Sequence, residues 1–255
     1  MAVDEAILEA IGRNEVLPTL RLYRWDPPCL SLGYAQPSSD VNRHLLASFG
    51  WDLVRRPTGG KAILHIDELT YAVIGPNSES RLAGGVIESY QRLSTALLFA
   101  LKLLGITAES LEPPGNLPEE GNHNPVCFEV PSHYEITYQK KKIIGSAQAR
   151  RREGILQHGS LPLYGDISRI TQALIYSNDA DRQIAAQRLL TRAVTVETAL
   201  GYRIEWETAA QAFITAFQEV LDLTLVTGDL TPSEIRRATE LDSRKYRHPD
   251  WTDRI

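Results

Sequence analysis

The stretch Arg55-Arg56-Pro57-Thr58-Gly59-Gly60-Lys61-Ala62-Ile63-Leu64-His65 decides the fold of this 255-residue chain. One predicted strand, over residues 51–55, leads into the double glycine, and a second, over residues 61–66, leads out of it. Glycine lets the backbone pass close to a ligand, and the two arginines supply fixed cationic donors. A bare Thr-Gly-Gly would favour a plain hairpin turn, whereas the flanking arginines and His65 favour a loop that binds a ligand.

Composition and charge exclude several classes of protein. The chain is 43% hydrophobic and 23% charged, which is ordinary for a globular domain. Its net charge of −5 argues against nucleic-acid binding, and no apolar run approaches the roughly 18 residues that a membrane span needs. The acidic first ten residues do not resemble a secretory signal, and two cysteines provide neither a disulfide framework nor a metal site. We expect a reduced, cytoplasmic protein without metal.

Two periodicities outline the secondary structure on either side of the glycine stretch. Helical spacing of apolar residues predicts helices over residues 3–11, 40–49, 87–104 and 205–223. Clusters of β-branched and aromatic residues predict strands over residues 19–25, 29–33, 51–55, 61–66, 69–74, 134–138, around 143, and 155–164. A helix with a capping box begins at Thr231-Pro232-Ser233-Glu234.

This order of elements predicts an α+β fold. We expect a catalytic α/β core over residues 1–165 and a helical part over residues 166–255, packed on the same domain.

Residues 140–152 carry six basic side chains and no acidic one. Such runs are usually solvated faces. Here the run is interrupted by Ile-Ile-Gly-Ser-Ala, residues 143–147, which indicate a buried strand entering a tight turn. We expect this strand to bring one lysine inward while the others stay in water, where they would form a docking face for acidic partners.

Cys127 lies in a loop bounded by Pro125 and Pro131, upstream of the lysines. A nearby ammonium group favours the thiolate, so Cys127 is a candidate nucleophile. The alternative is a small buried hydrophobic residue. Cys29, in an alternating apolar strand, is predicted to be that kind of residue.

With these segments in view, the chain resembles the biotin/lipoate protein ligase family, and within it the octanoyltransferases of lipoate biosynthesis. The matching stretches are MAVDEAIL, LRLYRWDPPCLSLGYAQ, RRPTGGKAILHIDELTY, CFEVPSHYEI, KKIIGSAQARRREGILQHGSLPL and KYRHPDWT. RRPTGGKAILH is typical of the whole superfamily. The cysteine before PSHYEI, together with KIIGSAQ and ILQHGS, favours the octanoyltransferase branch.

The resemblance implies the biotin/lipoyl protein ligase catalytic-domain fold, a mixed β-sheet flanked by helices with a helical C-terminal part. It implies that Cys127 is the acyl-accepting nucleophile and that Lys142 is the active-site lysine. The remaining matches imply a pocket for the acyl group formed by Arg55, Arg56, Thr58, Gly59, Gly60, His65, Gly145, Ser146, Ala147, Gln157, His158 and Gly159.

The implied reaction moves an octanoyl group from acyl carrier protein, through a thioester on Cys127, onto a lysine of a lipoyl-domain protein. Such acceptors include the glycine cleavage H protein and the acyltransferase subunits of dehydrogenases, and no cofactor is required. The alternatives are amidotransfer between two lipoyl proteins, an ATP-dependent lipoate or octanoate ligase, and a non-catalytic relative that binds carrier or lipoyl proteins.

Two departures from the family bear on these alternatives. Many lipoate ligases carry Gly-Arg-Asn-Asp before the lysine, and often an accessory C-terminal domain. Here Val-Cys-Phe, residues 126–128, occupies that region, and the C-terminal third is one helical part, which argues against a ligase. The family also has a strand ahead of MAVDEAIL, so we expect either a shorter sheet edge or a start upstream of Met1.

Overall fold

The computed structural model describes residues 1–111, 126 and 135–255. The helices are α1 Ala2–Gly12, α2 Arg43–Ser48, α3 Val86–Leu103, α4 Asp179–Arg192, α5 Val196–Leu200, α6 Trp206–Leu221, α7 Pro232–Leu241 and α8 Pro249–Thr252. The strands are β1 Thr19–Tyr23, β2 Cys29–Leu32, β3 Asp52–Arg55, β4 Ile63–His65, β5 Glu68–Gly75, β6 Glu109–Leu111, β7 Glu135–Tyr138, β8 Lys141–Arg150 and β9 Ile155–Pro162. Within these ranges, no helix has both the length and the apolar character needed to cross a bilayer.

The strands form two sheets. Among the described residues, six strands make an antiparallel sheet in the order β1-β5-β9-β8-β7-β6. The smaller sheet has the order β3-β2-β4, in which β2 runs parallel to β3 and antiparallel to β4. Together with the flanking helices and the helical C-terminal part, these sheets confirm the predicted α+β class.

The main hydrophobic core lies between the large sheet and the helices α3 and α6. Leu97 of α3, Phe213 of α6 and Tyr71 of β5 are fully buried in this core, and the ring centroids of Phe213 and Tyr71 lie 5.9 Å apart. Their apolar residues recur every three or four positions, so each helix presents one continuous apolar stripe to the sheet. This core fixes β5, and through it β9 and β8. A division of the chain at residue 165 stays a prediction.

The smaller sheet has a core of its own. Leu30 and Leu32 of β2 pack there with Ala62 and Val126, all almost completely buried. These apolar contacts of Ala62 therefore hold the end of the glycine stretch, just before β4, against β2.

Two predicted elements differ in extent. Helix α2 begins at Arg43, three residues after the predicted start, because the Asn42 side chain caps it by accepting a hydrogen bond from the Leu45 amide. The predicted tight turn after residue 147 is wrong, since β8 continues to Arg150. The reversal comes at residues 151–154, where Gly154 has a positive φ and its carbonyl accepts from the Arg151 amide. The capping box of Thr231 and Glu234 at the start of α7 is confirmed.

Candidate active site

A cavity of about 620 Å³ lies between the glycine loop (residues 56–61), strand β4 of the small sheet, and strands β8 and β9 of the large sheet. This volume is in the usual range for a small-molecule site. Of the residues predicted from the sequence, the cavity is lined by Arg56, Gly59, Gly60, His65, Lys142, Gly145, Ser146, Ala147, His158 and Gly159. The cavity lining does not include Arg55, Thr58 or Gln157, which support it by contacts with neighbouring residues.

The two motifs of the large sheet meet because β8 and β9 are paired strands. Ser146 is opposite Gly159, and Ala147 is opposite His158. Position 159 requires glycine, because a Cβ there would lie 2.5 Å from the Tyr71 ring. The Tyr71 hydroxyl in turn lies 2.7 Å from the Ser146 hydroxyl. Motifs separated in sequence thus form one cavity wall.

Arg56 folds the glycine loop. Its buried guanidinium donates hydrogen bonds to the carbonyl oxygens of Gly59 and Lys61, at 2.8 and 2.7 Å, and to the carbonyl of Ser31 on β2, at 3.1 Å. The charge predicted to face a ligand therefore also serves to hold the loop against the small sheet. Gly33 is packed against the same loop, since a Cβ at that position would lie 1.7 Å from the Gly60 carbonyl oxygen.

Arg55 is fully buried and binds backbone, away from the cavity. Its guanidinium donates to the carbonyl oxygens of Gly33 and Gln36 at 2.8 and 2.6 Å, and to that of Thr252 at 2.7 Å. The Trp251 indole N–H donates back to the Arg55 carbonyl at 2.8 Å. Arg55 thus ties the C-terminal KYRHPDWT stretch to the segment that carries the cavity residue Gln36.

Lys142 is the lysine that β8 turns inward. Its side chain is 3% exposed and lines the cavity, and its Nζ donates to Glu135 Oε1 at 2.7 Å. Lys140 is exposed, and Lys141 points the other way and donates to the Leu190 carbonyl. Alternation along β8 separates Lys141 from Lys142, and Lys140 lies before the strand, in a turn where its φ is positive.

Cys127 lies outside the described residues, but its neighbour does not. Val126, the residue before it, forms a parallel β-bridge with Ala62 and is 1% exposed. Ala62 stands between Lys61 and Ile63, both of which line the cavity. Cys29 is buried in β2, in line with its predicted packing role. Burial also raises the pKa of its thiol.

His65 belongs to a buried chain of polar groups. Its Nε2 lies 2.7 Å from the Ser31 hydroxyl and its Nδ1 lies 2.7 Å from Glu68 Oε1, while Trp25 stacks on the ring. Glu68 also accepts hydrogen bonds from the hydroxyls of Thr70 and Ser160. This network sets the orientation of the imidazole at the cavity wall.

His158 is held from the glycine loop. Its Nε2 lies 2.6 Å from the Thr58 hydroxyl, and its Nδ1 has no hydrogen-bond partner among the residues that the structure describes. Desolvation by burial lowers the pKa of His158 to about 3, so the ring is neutral at physiological pH. Gln157, fully buried beside it, donates to the Tyr71 hydroxyl at 3.2 Å and supports the wall from behind.

The apolar side chains of β4 and β5 are unequally placed toward the cavity. Of Ile63, Leu64 and Tyr71, only Ile63 lines the cavity in the described part of the chain. Leu64 points to the opposite face of β4, as alternation demands, and borders a small second cavity.

Most of the basic run is engaged within the fold. Arg150 donates to the carbonyls of Leu82 and Gly85, and Arg151 forms an ion pair with Glu5 of α1 at 2.9 Å. These two arginines are thus held by contacts within the fold, and the docking face over residues 140–152 stays a prediction.

Sequence reasoning missed several residues of the site. Glu135 lies within the CFEVPSHYEI stretch and Glu68 within the RRPTGGKAILHIDELTY stretch, so each belonged to a segment that was singled out. Ser31 had no such signal, because a serine inside an apolar strand is ordinary. Within the described ranges, no three His, Cys, Asp or Glu side chains are grouped so as to hold a metal ion.

Comparison with known proteins shows the family of the chain. Residues 1–218 match the model of the lipoyl protein ligase A/B catalytic domain. The octanoyltransferase LipM of Kyrpidia tusciae is 39% identical over 261 residues, covering 100% of this chain and 93% of the relative. That of Exiguobacterium sibiricum is 36% identical over 255 residues, covering 98% and 92%.

Solved structures share the fold. The bipartite lipoate protein ligase of Thermoplasma acidophilum superimposes with a TM-score of 0.79 at 23% identity, covering 99% of this chain and 89% of that one. A lipoate-protein ligase A bound with ATP gives 0.76 at 24% identity, covering 99% and 92%. Because the family model matches residues 1–218 and these two relatives are 36–39% identical over nearly the whole chain, the chain belongs to the lipoyl protein ligase A/B catalytic domain family.

Proposed function

We propose that this protein transfers octanoyl groups in lipoate biosynthesis through a covalent thioester on Cys127. Octanoyl transfer is the activity named for its relatives, which match over nearly the whole chain at 34–39% identity. The chain is accordingly an acyltransferase. The thioester, the donor and the acceptor are the parts that the proposal adds.

One observation carries the proposal. Val126, next to Cys127 in the sequence, is bridged to Ala62 at the edge of the same cavity that the Lys142 side chain lines. A buried ammonium group near a thiol stabilises the thiolate, which is the reactive form. This supports Cys127 as nucleophile and Lys142 as its electrostatic partner.

The reaction has two steps. In the first, the Cys127 thiolate attacks the thioester carbon of the donor, a new C–S bond forms, and the donor thiolate leaves. In the second, the amine of the acceptor lysine attacks the enzyme thioester, the C–N bond forms, the Cys127 thiolate leaves, and the amine proton passes to water. The first step exchanges one thioester for another, and the second yields the more stable amide, so neither requires ATP.

The residues around the cavity have distinct parts in these steps. Lys142 stabilises the thiolate and the negative charge that develops on the carbonyl oxygen. The glycine loop and the paired strands β8 and β9 surround the acyl group, with Ile63 supplying apolar contact. His65 and His158 are held in single orientations by their hydrogen bonds and shape the wall around the reacting carbon.

The partners follow from the same chemistry. The donor is octanoyl-acyl carrier protein, and the acceptor is a lipoyl-domain protein such as the glycine cleavage H protein or a dehydrogenase acyltransferase subunit. The donor and the acceptor both occur in the cytoplasm, so we propose that this protein acts there.

Two reaction mixtures test the proposal. A lipoyl domain is incubated with the protein and either octanoyl-carrier protein without ATP or octanoate with ATP, and its octanoylation is followed by mass spectrometry. We expect modification only in the first mixture. Modification that requires octanoate and ATP would instead establish a ligase, and no modification in either mixture would favour a binding relative.

A further inference from the structure

Glu135 and Lys142 form an ion pair at the cavity wall. Glu135 Oε1 lies 2.7 Å from Lys142 Nζ, and the two side chains are 17% and 3% exposed. Lys142 lines the cavity, whereas Glu135 is not among its described lining residues. In the described part of the chain, Glu135 reaches the cavity through its ion pair with Lys142.

The β7–β8 hairpin builds this pair. Thr137 is opposite Lys142, and Glu135 is two residues before Thr137, so all three side chains share one face of the hairpin. A shift in register between Ile136 and Thr137 interrupts the regular ladder next to the pair. Irregularities of this kind re-aim side chains and are frequent beside active sites.

Burial of the Lys142 ammonium group favours a carboxylate beside it. An ammonium group removed from water is unfavourable unless an opposite charge and hydrogen bonds compensate for the lost hydration. Glu135 supplies that charge at hydrogen-bond distance, and its hydrogen bond also selects one direction for a flexible side chain.

We propose that Glu135 is a positioning residue that holds Lys142 as an ammonium group directed toward the reacting atoms. The inference rests on the proposed function, since it assumes that Lys142 assists acyl transfer. Its chemical consequence is that Lys142 acts by charge.

A double-mutant cycle tests this proposal. The variants are Glu135→Gln, which keeps the shape and removes the charge, Lys142→Ala, and the two combined. The measured quantity is the single-turnover rate of acyl transfer from octanoyl-carrier protein to the enzyme. We expect Glu135→Gln to slow transfer at least tenfold and Lys142→Ala about 100-fold, with the double variant no slower than Lys142→Ala.

Two further variants separate positioning from folding. Glu109→Gln changes an exposed carboxylate on the adjacent strand β6, directly opposite Thr137, and should transfer at the wild-type rate. Glu135→Asp keeps the charge but shortens the side chain, so it should give an intermediate rate with a Tm near that of the wild type. If Glu135→Gln does not fold, the rate of Glu135→Asp tests the positioning role in its place.

The outcomes distinguish this inference from the proposed function. If Lys142→Ala is slow while Glu135→Gln transfers at full rate, the positioning role is wrong and the proposed function stands. The same holds if Glu135→Gln slows transfer as much in the Lys142→Ala background as in the wild type. If Lys142→Ala itself transfers at the wild-type rate, both the role of Lys142 and this inference are wrong.

Discussion

The hydroxyl oxygen of Thr58 lies 2.6 Å from Nε2 of His158, so the glycine loop and strand β9 are joined by a hydrogen bond between residues 100 positions apart. Thr58 does not line the cavity, but it orients a histidine that does. The two sheets that enclose the cavity are thereby connected at its wall. Histidine in this position is neutral, because burial lowers its pKa to about 3.

This neutral histidine makes the protein sensitive to acid. The unfolded chain binds a proton at His158 below about pH 6.5, whereas the folded protein does not until about pH 3, so the free energy of unfolding falls as the pH decreases through this window. At pH 5 the loss is about 2 kcal/mol. His158→Gln lacks this titration and should lose correspondingly less stability between pH 8 and pH 5.

Urea denaturation of both proteins at the two pH values measures this effect. The stability of the wild type relative to His158→Gln should be greater at pH 8 than at pH 5. A difference between the two proteins that is equal at both pH values would show that His158 does not resist protonation in the fold.

Gly33 and Gly59 should respond oppositely to a methyl group. A Cβ at position 33 would lie 1.7 Å from the Gly60 carbonyl oxygen, whereas one at position 59 would have no neighbour within 4 Å among the residues that the structure describes. We expect Gly33→Ala to lose about 1–3 kcal/mol of stability through overpacking and to slow acyl transfer at least tenfold through displacement of the loop. Gly59→Ala should keep the wild-type Tm, although Gly59 belongs to the motif.

Thermal unfolding of the two variants, with single-turnover rates for Gly33→Ala, provides the comparison. Equal Tm values for both variants would mean that the loop yields easily at Gly60 and that its packing against Gly33 is unimportant.

Arg55 should be indispensable for stability although it lies away from the cavity. Arg55→Lys keeps a positive charge but loses the planar fork that binds carbonyls on both sides, at Gly33 and at Thr252. Because buried carbonyls would lose their donors, we expect a loss of about 3 kcal/mol in the free energy of unfolding. Arg13→Lys, at an exposed ion pair with Glu15, is the matched control and should unfold like the wild type.

Chemical denaturation reports both values. If Arg55→Lys were as stable as Arg13→Lys, the C-terminal stretch would not depend on Arg55 for its attachment to the segment after β2.

The correct predictions rest on local sequence patterns. The helices α1, α3, α6 and α7 follow from apolar spacing and capping, and the double glycine between two strands follows from residue type. The inward direction of Lys142 follows from alternation once β8 is recognised. The small sheet was not predicted as separate, because nothing local states which strands pair.

Long-range contacts account for what was missed. Arg55 was assigned to the ligand because a cation beside glycines suggests one, but its hydrogen bonds go to carbonyls about 20 and 200 residues away, which no local pattern indicates. Glu135 was overlooked because its significance comes from the hairpin register, and the register depends on a local irregularity in the ladder.

The measurement that tests the account most directly is the intact mass of the protein after mixing with octanoyl-carrier protein in the absence of ATP. The wild type and Cys29→Ala should each gain one octanoyl group that hydroxylamine removes, because the Cys29 thiol is buried and its raised pKa keeps it protonated. Cys127→Ala should gain none. An octanoyl group of the same occupancy on Cys127→Ala would contradict the thioester mechanism.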